Sequence, residues 1–355
     1  MADSSESTGE YVSHVARRLT EEEIGKMKTQ NSRLVTEFRA NQLEQDAKKH
    51  WDLFYKRNDT RFFKDRHWTT REFSELLGLG AQEDPKVLLE VGCGVGNFVY
   101  PLVEDGLKFK RIFACDLSPR AVELTKSHVL YDPENMRIFQ TDVTTEDCFA
   151  DVDCPVNAAT LIFVLSSIHP DKFRRVAENL YNVLDNKGVV LVRDYGRYDM
   201  AQLRFKPGHK ISENFYMRQD GTRSYYFTTE EVTKLFESAG FRTLTCDYVQ
   251  RRTVNLKENI DVARIFVQGK FAIVLLAMFA VAFAEEKPAE AEKLEPVAPF
   301  PGPDAPRDKR GLLLSYSAPL TYAAHSAPLT YSSSYSSLPY AYRSFPYYYN
   351  NYYVG

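Results

Sequence analysis

A glycine-rich turn directly after a short apolar run constrains this chain most. Residues 87–89 are apolar, and residues 90–96 follow with glycine at positions 92, 94 and 96. Such a turn joins a strand to a helix and lets the backbone approach a ligand closely. A second acid, Asp116, closes another apolar run twenty residues beyond Gly96, where a carboxylate can accept both hydroxyls of a ribose. The pair predicts a Rossmann-like sheet with a nucleotide-type cofactor.

The spacing of the glycines distinguishes between cofactors. Dinucleotide sites use G-x-G-x-x-G and aim a helix N-terminus at a pyrophosphate, whereas this loop reads G-x-G-x-G after the acid Glu90. A carboxylate there would repel a pyrophosphate and suits a cationic sulfonium that also carries an ammonium group. We therefore expect S-adenosylmethionine, held by Gly92, Gly94 and Asp116. Asp142, after the third strand, could bind the adenine amino group or be an ordinary turn acid.

Strands and helices alternate along the middle of the chain, which predicts an α/β fold with a mostly parallel sheet and helices on both faces. Seven strands are expected, at residues 87–91, 111–115, 136–140, 158–164, 189–192, 241–249 and 262–267. The domain would span residues 81–271, with a basic, aromatic and irregular insertion at 197–227. Before it, we expect a disordered N-terminus at 1–30 and a helical extension at 31–80 that caps the cofactor and contacts RNA.

Several polar side chains leave the predicted strands at the ligand-binding edge. Alkylation of a ring nitrogen with a free lone pair needs no base, but it produces a cationic product. A carboxylate aimed at that developing charge would accelerate the reaction, and Asp194 is the candidate. Arg193, Tyr195 and His169 are expected beside it as further catalytic residues. A salt-bridged turn at 193–196 and a structural histidine are the alternatives.

Cations and aromatic residues are interleaved on both sides of the glycine loop. Cations contact phosphates and aromatic planes stack on unpaired bases, so this interleaved pattern suits binding of single-stranded or loop RNA. Ordinary solvated helix faces and core aromatics are the alternative. The predicted RNA-binding residues are Arg57, Arg61, Lys64, Arg66, His67, Arg204, Arg218 and Arg223.

The cysteines and the N-terminus bear on the cellular compartment. The five cysteines form no C-x-x-C pair and no histidine stands at zinc-ligand spacing, so we expect reduced thiols and no metal. The N-terminal residues are rich in acids and lack an apolar signal core. We expect a cytoplasmic protein that is also nuclear, without stable membrane association.

Long strings of residues resemble the methyltransferase-like family that makes 3-methylcytidine in the tRNA anticodon loop, particularly its cytosolic branch acting on serine tRNAs. The strings lie at residues 51–58, 62–73, 115–121, 161–166, 169–172, 193–196 and 214–225. The resemblance implies a class I methyltransferase fold, S-adenosylmethionine as donor, cytidine 32 of tRNA as acceptor and seryl-tRNA synthetase as helper. It implies these cofactor contacts: Trp51, Tyr55, Gly92, Asp116, Asp142, Val143 and Ile162. Val143 replaces an expected leucine.

Two other functions are compatible with these patterns. The chain could be a non-catalytic adaptor that binds S-adenosylmethionine or tRNA, although the intact loop, Asp116 and Asp142 argue against it. It could also methylate another RNA or a protein.

The C-terminal part reads as a different kind of sequence. The fourteen apolar residues at 271–284 end in a small-x-small pattern and resemble a secretory signal peptide. Residues 285–355 are rich in Pro, Ser and Tyr, repeat SAPLTY at 317–322 and 326–331, and resemble small secreted cuticle-like proteins, so disorder is expected. We hypothesise that two reading frames are joined. A single abundant transcript with a full-length 40.8 kDa band would contradict this.

Overall fold

The central sheet positions the glycine loop and the other polar motifs along one edge. The computed structural model describes residues 11–13, 15–79, 84–255 and 260–273. The strands of the described residues are β1 (Tyr11–Ser13), β2 (Val87–Val91), β3 (Arg111–Asp116), β4 (Met136–Gln140), β5 (Val156–Ile162), β6 (Leu184–Tyr195), β7 (Lys210–Ser212), β8 (Phe215–Met217), β9 (Arg223–Tyr225), β10 (Phe241–Asn255) and β11 (Ile260–Ile273).

Eight of these strands form the large sheet, in the order β1-β10-β11-β6-β5-β2-β3-β4. Strands β6, β5, β2, β3 and β4 run parallel to one another. The chain order reverses between β2 and β5, which is where α/β sheets bind ligands beyond the carboxyl ends of their strands. Strand β11 enters antiparallel between β6 and β10. The mostly parallel sheet confirms the predicted α/β fold.

Strand β1 was not expected, and it adds an eighth strand to the predicted seven. It pairs with β10 at the edge of the sheet, with Val12 opposite Val249. Strands of three residues carry no readable alternation, and the long β10 supplies the pairing partner that the sequence does not reveal.

The helices of the described residues surround the sheet. They are α1 (Glu21–Gln30), α2 (Glu37–Gln45), α3 (Ala47–Asn58), α4 (Thr69–Glu72), α5 (Glu75–Leu79), α6 (Val99–Glu104), α7 (Pro119–Lys126), α8 (Phe173–Val183), α9 (Met200–Leu203) and α10 (Thr229–Ser238). The parallel strands are covered on both faces, as such strands require. On one face Leu89 packs with Leu180 and Phe236, and on the other Leu88 packs with Phe98.

The segment predicted to be a disordered N-terminus, residues 1–30, contains helix α1. Thr20 and Glu23 form a capping box, in which each side chain accepts from the backbone N–H of the other residue. The buried Gln30 then joins α1 to the insertion: its Nε2 donates to the Gln202 carbonyl at 2.9 Å, and its Oε1 accepts from the Tyr216 hydroxyl at 3.0 Å. Residues 1–10 lie outside the described residues.

The insertion at 197–227 is more regular than expected. It contains α9 and a three-stranded antiparallel sheet in the order β7-β8-β9. Its turn between β8 and β9 packs against α3, since a side chain at Gly221 would collide with the ring of His50. The insertion therefore rests on the helical extension as well as on the main sheet.

The predicted start of the apolar C-terminal segment, residue 271, is wrong. Phe271 is fully buried in β11 and stacks on Phe236 with ring centroids 4.3 Å apart, so Phe271–Ile273 belong to the sheet. The remainder of that segment and the Pro/Ser/Tyr-rich tail, residues 274–355, lie outside the described residues. Within the part of the chain that the structure describes, no helix has the length and hydropathy needed to span a membrane.

Candidate active site

The loop after β2 depends on its glycines. Gly92, Gly94 and Gly96 have φ angles of +66°, +57° and +87°, which side-chain-bearing residues rarely adopt. Space is restricted as well: a Cβ at Gly92 would lie 2.5 Å from a methyl of Val164, and one at Gly94 would lie 2.9 Å from the Tyr55 hydroxyl oxygen. Larger residues at these positions would displace the loop.

Asp116 ends β3 and holds this loop. Its Oδ2 accepts from the Gly94 N–H at 2.9 Å and its Oδ1 from the Ser118 N–H at 2.9 Å. Burial raises the pKa of Asp116 to about 6, so the carboxylate is ionised at neutral pH. Each carboxylate oxygen keeps a further lone pair, which can accept a ribose hydroxyl.

Glu90 is a buried acid with an unsatisfied side-chain oxygen. Its side chain is 2% exposed, and its Oε2 has no hydrogen-bond partner among the described residues. Burial raises the pKa of Glu90 to about 8, against the opposing effect of the Arg66 guanidinium. Without a ligand the carboxyl is therefore mostly protonated at neutral pH. A cofactor that carries an ammonium group fits this position, because its positive charge would favour the ionised form.

Helix α3 covers the loop with two aromatic side chains. Trp51 and Tyr55 stack with ring centroids 6.1 Å apart, and Tyr55 is buried against Gly94. Asp52 fixes the helix in place, because its Oδ1 accepts from the Ser118 hydroxyl at 2.5 Å and from the Arg120 N–H at 3.2 Å. The structure thus brings Trp51 and Tyr55 to the predicted cofactor site.

The turn after β4 contains Asp142 and Val143. Asp142 Oδ1 accepts from the N–H and the hydroxyl of Thr144, at 2.9 and 2.7 Å, as a turn acid does. Asn179 Nδ2 donates to the Val143 carbonyl at 3.0 Å and secures the turn. The alternative of a turn acid therefore has direct support, while adenine binding by these two residues stays a prediction.

Ile162, the last residue of β5, lies in the core rather than on an open surface. Its side chain is 3% exposed and packs with Leu88 and Phe98. Its carbonyl oxygen faces Arg66 and accepts from Nη1 at 3.2 Å. Contact of Ile162 with an adenine ring stays a prediction.

Asp194 is buried at the end of β6, 2% exposed. Its Oδ2 accepts from the Ser166 N–H and its Oδ1 from the Tyr195 N–H, both at 2.8 Å. Burial raises the pKa of Asp194 to about 6, and its two hydrogen bonds and Arg218 limit the rise. An ionised, fixed carboxylate therefore stands at the same edge of the sheet as the glycine loop.

Arg193, predicted to be catalytic, points away from Asp194. Successive residues of a strand face opposite sides of the sheet, and Arg193 forms an ion pair with Glu72 on the far side. It also bonds to Gln268 Oε1 at 2.9 Å and lies 4.5 Å from the Trp68 ring centroid. Arg193 therefore helps to pack α4 against the sheet.

His169 also has a structural position. Its Nδ1 accepts from the Asp171 N–H at 3.3 Å and so caps a short 3₁₀ turn, Pro170–Lys172. Its ring meets Phe215 edge-on, with centroids 5.6 Å apart. These contacts support the alternative of a structural histidine.

The predicted RNA-binding residues fall into two groups. Five are exposed, namely Arg57, Arg61, Lys64, His67 and Arg204. Arg66 and Arg218 are partly buried and turn inward, and Arg223 is 5% exposed and forms an ion pair with Glu44. The exposed group can contact phosphates, whereas Arg223 has a structural role.

Three aromatic rings and three arginines meet beside Asp194. We name this set the aromatic–arginine cluster: Phe163, Tyr195, Phe266, Arg66, Arg218 and Arg264. The Tyr195 ring lies 5.2 Å from that of Phe163 and 6.4 Å from that of Phe266, and the guanidinium carbons of the three arginines lie 5.2 to 6.0 Å from these ring centroids. Rings and guanidinium planes are the groups that stack on unpaired bases.

Sequence reasoning missed Phe163, Phe266 and Arg264 as site residues. Phe266 reaches the site because its Cα pairs with that of Tyr195 across β11 and β6, a register that no local pattern reveals. Phe163 was part of an apolar strand pattern, which does not reveal its left-handed backbone conformation. No group of acidic, histidine or cysteine side chains within the described ranges could hold a metal ion.

Comparisons with known proteins extend this description. The sequence profile described as "Methyltransferase domain" matches residues 61–245. The tRNA N(3)-cytidine methyltransferase METTL6 of Mus musculus is 53% identical over 258 residues, which cover 72% of this chain and 91% of that protein. The tRNA N(3)-methylcytidine methyltransferase trm141 of Schizosaccharomyces pombe is 42% identical and matches 66% of this chain and 96% of its own length.

Among solved structures, a SAM-dependent methyltransferase from Anabaena variabilis aligns with a TM-score of 0.48 at 15% identity, over 64% of this chain and 94% of its own. The matches to the methyltransferase profile and to the curated relatives identify the domain as a class I methyltransferase, whose cofactor is S-adenosylmethionine. From the length and identity of the sequence matches, this chain is an enzyme that belongs to the tRNA N(3)-cytidine methyltransferase family.

Proposed function

We propose that this protein transfers the methyl group of S-adenosylmethionine to N3 of cytidine 32 in the anticodon loop of serine tRNAs. The observation that carries the proposal is the buried carboxylate of Asp194 beside the aromatic–arginine cluster. It combines a fixed negative charge with planar groups that accept a flipped base. Its mouse and fission-yeast relatives are named as tRNA N3-cytidine methyltransferases.

Several residues of this chain fit the cofactor. Asp116 would accept the ribose hydroxyls, Glu90 would face the ammonium group, and Trp51 and Tyr55 would cover it. When bound, S-adenosylmethionine supplies a methyl group on a positively charged sulfur. Asp142, Val143 and Ile162 remain predicted contacts near the adenine.

The acceptor chemistry follows from the electronic structure of cytosine. The N3 lone pair forms the new bond to carbon while the sulfur–carbon bond breaks, so the positive charge passes from sulfur to the base and S-adenosylhomocysteine leaves. No proton needs to be removed before attack. Asp194 stabilises the cationic base more than the neutral one, and its fixed hydrogen bonds keep it ionised and oriented.

The nucleic-acid partner is supported by exposed cations on the extension and insertion. Arg57, Arg61, Lys64, His67 and Arg204 lie on the surface, where they can contact phosphates. We further propose that seryl-tRNA synthetase assists and that the protein works in the cytoplasm and nucleus. The resemblance to the serine-tRNA branch supports the partner, and the five free cysteines support a reducing compartment.

The test incubates the full-length protein with labelled S-adenosylmethionine and serine tRNA, with and without seryl-tRNA synthetase. We expect 3-methylcytidine by mass spectrometry of the digested tRNA, and none in a matched tRNA whose cytidine 32 is uridine. Equal labelling of the uridine-32 tRNA would contradict the position. Cofactor binding without 3-methylcytidine in either reaction would instead favour a non-catalytic adaptor.

A further inference from the structure

Phe163 has an unusual backbone conformation directly after β5. Its φ is +62°, and the other residues with positive φ apart from glycine, within the described residues, are Asp59, Tyr198 and Asn214. Aspartate and asparagine tolerate this region, but for a bulky aromatic residue it is an outlier. Such strain persists only where the surrounding structure enforces it, and it concentrates at functional sites.

The left-handed conformation of Phe163 changes the directions of the side chains at residues 162–164. Neighbours in a strand face opposite sides of a sheet, yet Ile162 and Phe163 pack on the same cluster as Leu88. Val164 then lies against Gly92 of the cofactor loop, at the position that a Cβ there would occupy. One strained residue thus directs its own ring to one side and its neighbour to the glycine loop.

The Phe163 ring lies in the aromatic–arginine cluster and is partly exposed. Its centroid is 5.2 Å from that of Tyr195 and 5.4 Å from that of Phe266, and the Arg66 guanidinium carbon is 5.6 Å away. Its N–H donates to the Arg193 carbonyl at 2.7 Å, so the ring is fixed beside the strand end that carries Asp194.

We propose that Phe163 is a positioning residue that stacks on the acceptor cytosine and holds it at the edge of the sheet where the cofactor loop and Asp194 lie. The inference rests on the proposed function for the identity of the base. A ring in an ordinary strand conformation would face the opposite side of the sheet, so the left-handed backbone is what turns the ring toward Tyr195, Phe266 and Arg66. Stacking on the base would explain why a backbone conformation with a free-energy cost is kept at Phe163.

The first experiment replaces the ring by an aliphatic side chain of similar size. Phe163→Leu should lower kcat/KM for serine tRNA by about 5- to 150-fold, since a base–aromatic stack contributes that much to binding, and leave the Kd for S-adenosylmethionine within about twofold. Phe163→Tyr, which keeps the ring, should restore kcat/KM. Unchanged kcat/KM in Phe163→Leu, or an equal loss of cofactor affinity, would overturn the proposal.

A second pair of variants separates the backbone strain from the ring. Phe163→Gly removes both the ring and the cost of positive φ, whereas Phe163→Ala removes the ring alone. We expect the glycine variant to unfold at a higher temperature than the alanine variant, and both to be equally impaired on tRNA. Recovery of activity in Phe163→Gly would show that the loop geometry matters and that the ring does not.

A spectroscopic signal reports stacking without turnover. An anticodon stem-loop with pyrrolocytidine at position 32 should lose fluorescence on binding the wild-type protein with S-adenosylhomocysteine, and regain it with Phe163→Leu. Absence of quenching in the wild type would refute stacking. Quenching without any 3-methylcytidine from the wild type on natural tRNA would refute the proposed function and leave the role of Phe163 intact.

Discussion

At the scale of single residues, two buried aspartates of similar acidity have different surroundings. Asp116 accepts from the glycine loop and Asp194 from the main chain beside the aromatic–arginine cluster. Burial raises the pKa of each to about 6. Keeping both carboxylates ionised in the folded protein costs desolvation free energy. We therefore attribute the two buried charges to function rather than to stability.

Asp194→Asn should keep the cofactor and lose turnover. The amide is nearly isosteric, but it carries no charge to stabilise the methylated, cationic base. We expect kcat on tRNA to fall about 100-fold or more, with the Kd for S-adenosylmethionine measured by calorimetry unchanged within about threefold. Asp116→Asn is the matched variant: its cofactor affinity should fall first. Loss of cofactor affinity in Asp194→Asn would show that Asp194 belongs to the cofactor site.

The acidity of Asp194 also predicts the pH dependence of the same reaction. A raised pKa means that the active, ionised form is lost as pH falls through about 6, so kcat at saturating S-adenosylmethionine should fall tenfold per pH unit below that value. In Asp194→Asn this limb should be absent. Saturation with cofactor matters because Asp116 titrates in the same range and would affect the KM for the cofactor.

At the scale of elements, α2 is joined to two segments that surround the acceptor site. Glu44 of α2 pairs with Lys172 at 2.5 Å, in the 3₁₀ turn after β5, and with Arg223 of β9. Arg223 in turn donates to the Ser167 carbonyl. The ion pairs hold the extension, the insertion and the end of β5 together.

Glu44→Gln should loosen this junction. Removal of the charge leaves the nearly buried Arg223 without its carboxylate, so we expect a loss of about 1–3 kcal/mol in the free energy of unfolding and weaker tRNA binding. Glu37→Gln is the control, since Glu37 is exposed on the same helix. Chemical denaturation with far-UV circular dichroism measures both. Equal stability of the two variants would contradict a structural role for Glu44.

The elements show what the sequence could and could not reveal. The parallel strands and the glycine loop were predictable because apolar runs end at polar motifs of fixed spacing. Strand β1 depends on a distant partner, and the side of the sheet that Arg193 faces depends on where its strand begins. Phe163 was hidden because a single left-handed residue leaves no periodic signal.

The cofactor half of the site was accordingly easier to predict than the acceptor half. Gly94, Asp116 and Tyr55 come together as expected because strand ends and one amphipathic helix determine their positions. The aromatic–arginine cluster instead needs the antiparallel β11 beside β6, and Phe266 and Arg264 enter it only through that register.

At the scale of the whole molecule, β11 is the last described element and it lies inside the sheet. Phe271 pairs with Val190 of β6 on one side and with Thr243 of β10 on the other. A chain that ends within this strand should lose its core, whereas one that ends after it should keep every contact described above.

We therefore predict that a chain ending at residue 273 keeps the melting temperature of the domain and the kcat of the full-length protein on serine tRNA. A chain ending at residue 269 is the comparison: without Phe271 it should lose about 3–5 kcal/mol of stability and be inactive. Differential scanning fluorimetry and single-turnover methylation measure both. A marked loss of activity in the longer truncation would show that residues 274–355 contribute to the enzyme.

Helix α3 touches both halves of the site, since Tyr55 meets Gly94 while His50 packs on the turn that contains Gly221. Any ligand that shifts this helix changes the free energy of binding at both ends. Thermodynamic linkage then requires reciprocity: the factor by which the cofactor changes affinity for the RNA equals the factor by which the RNA changes affinity for the cofactor. The helix thereby provides a physical route to cooperative assembly of the ternary complex.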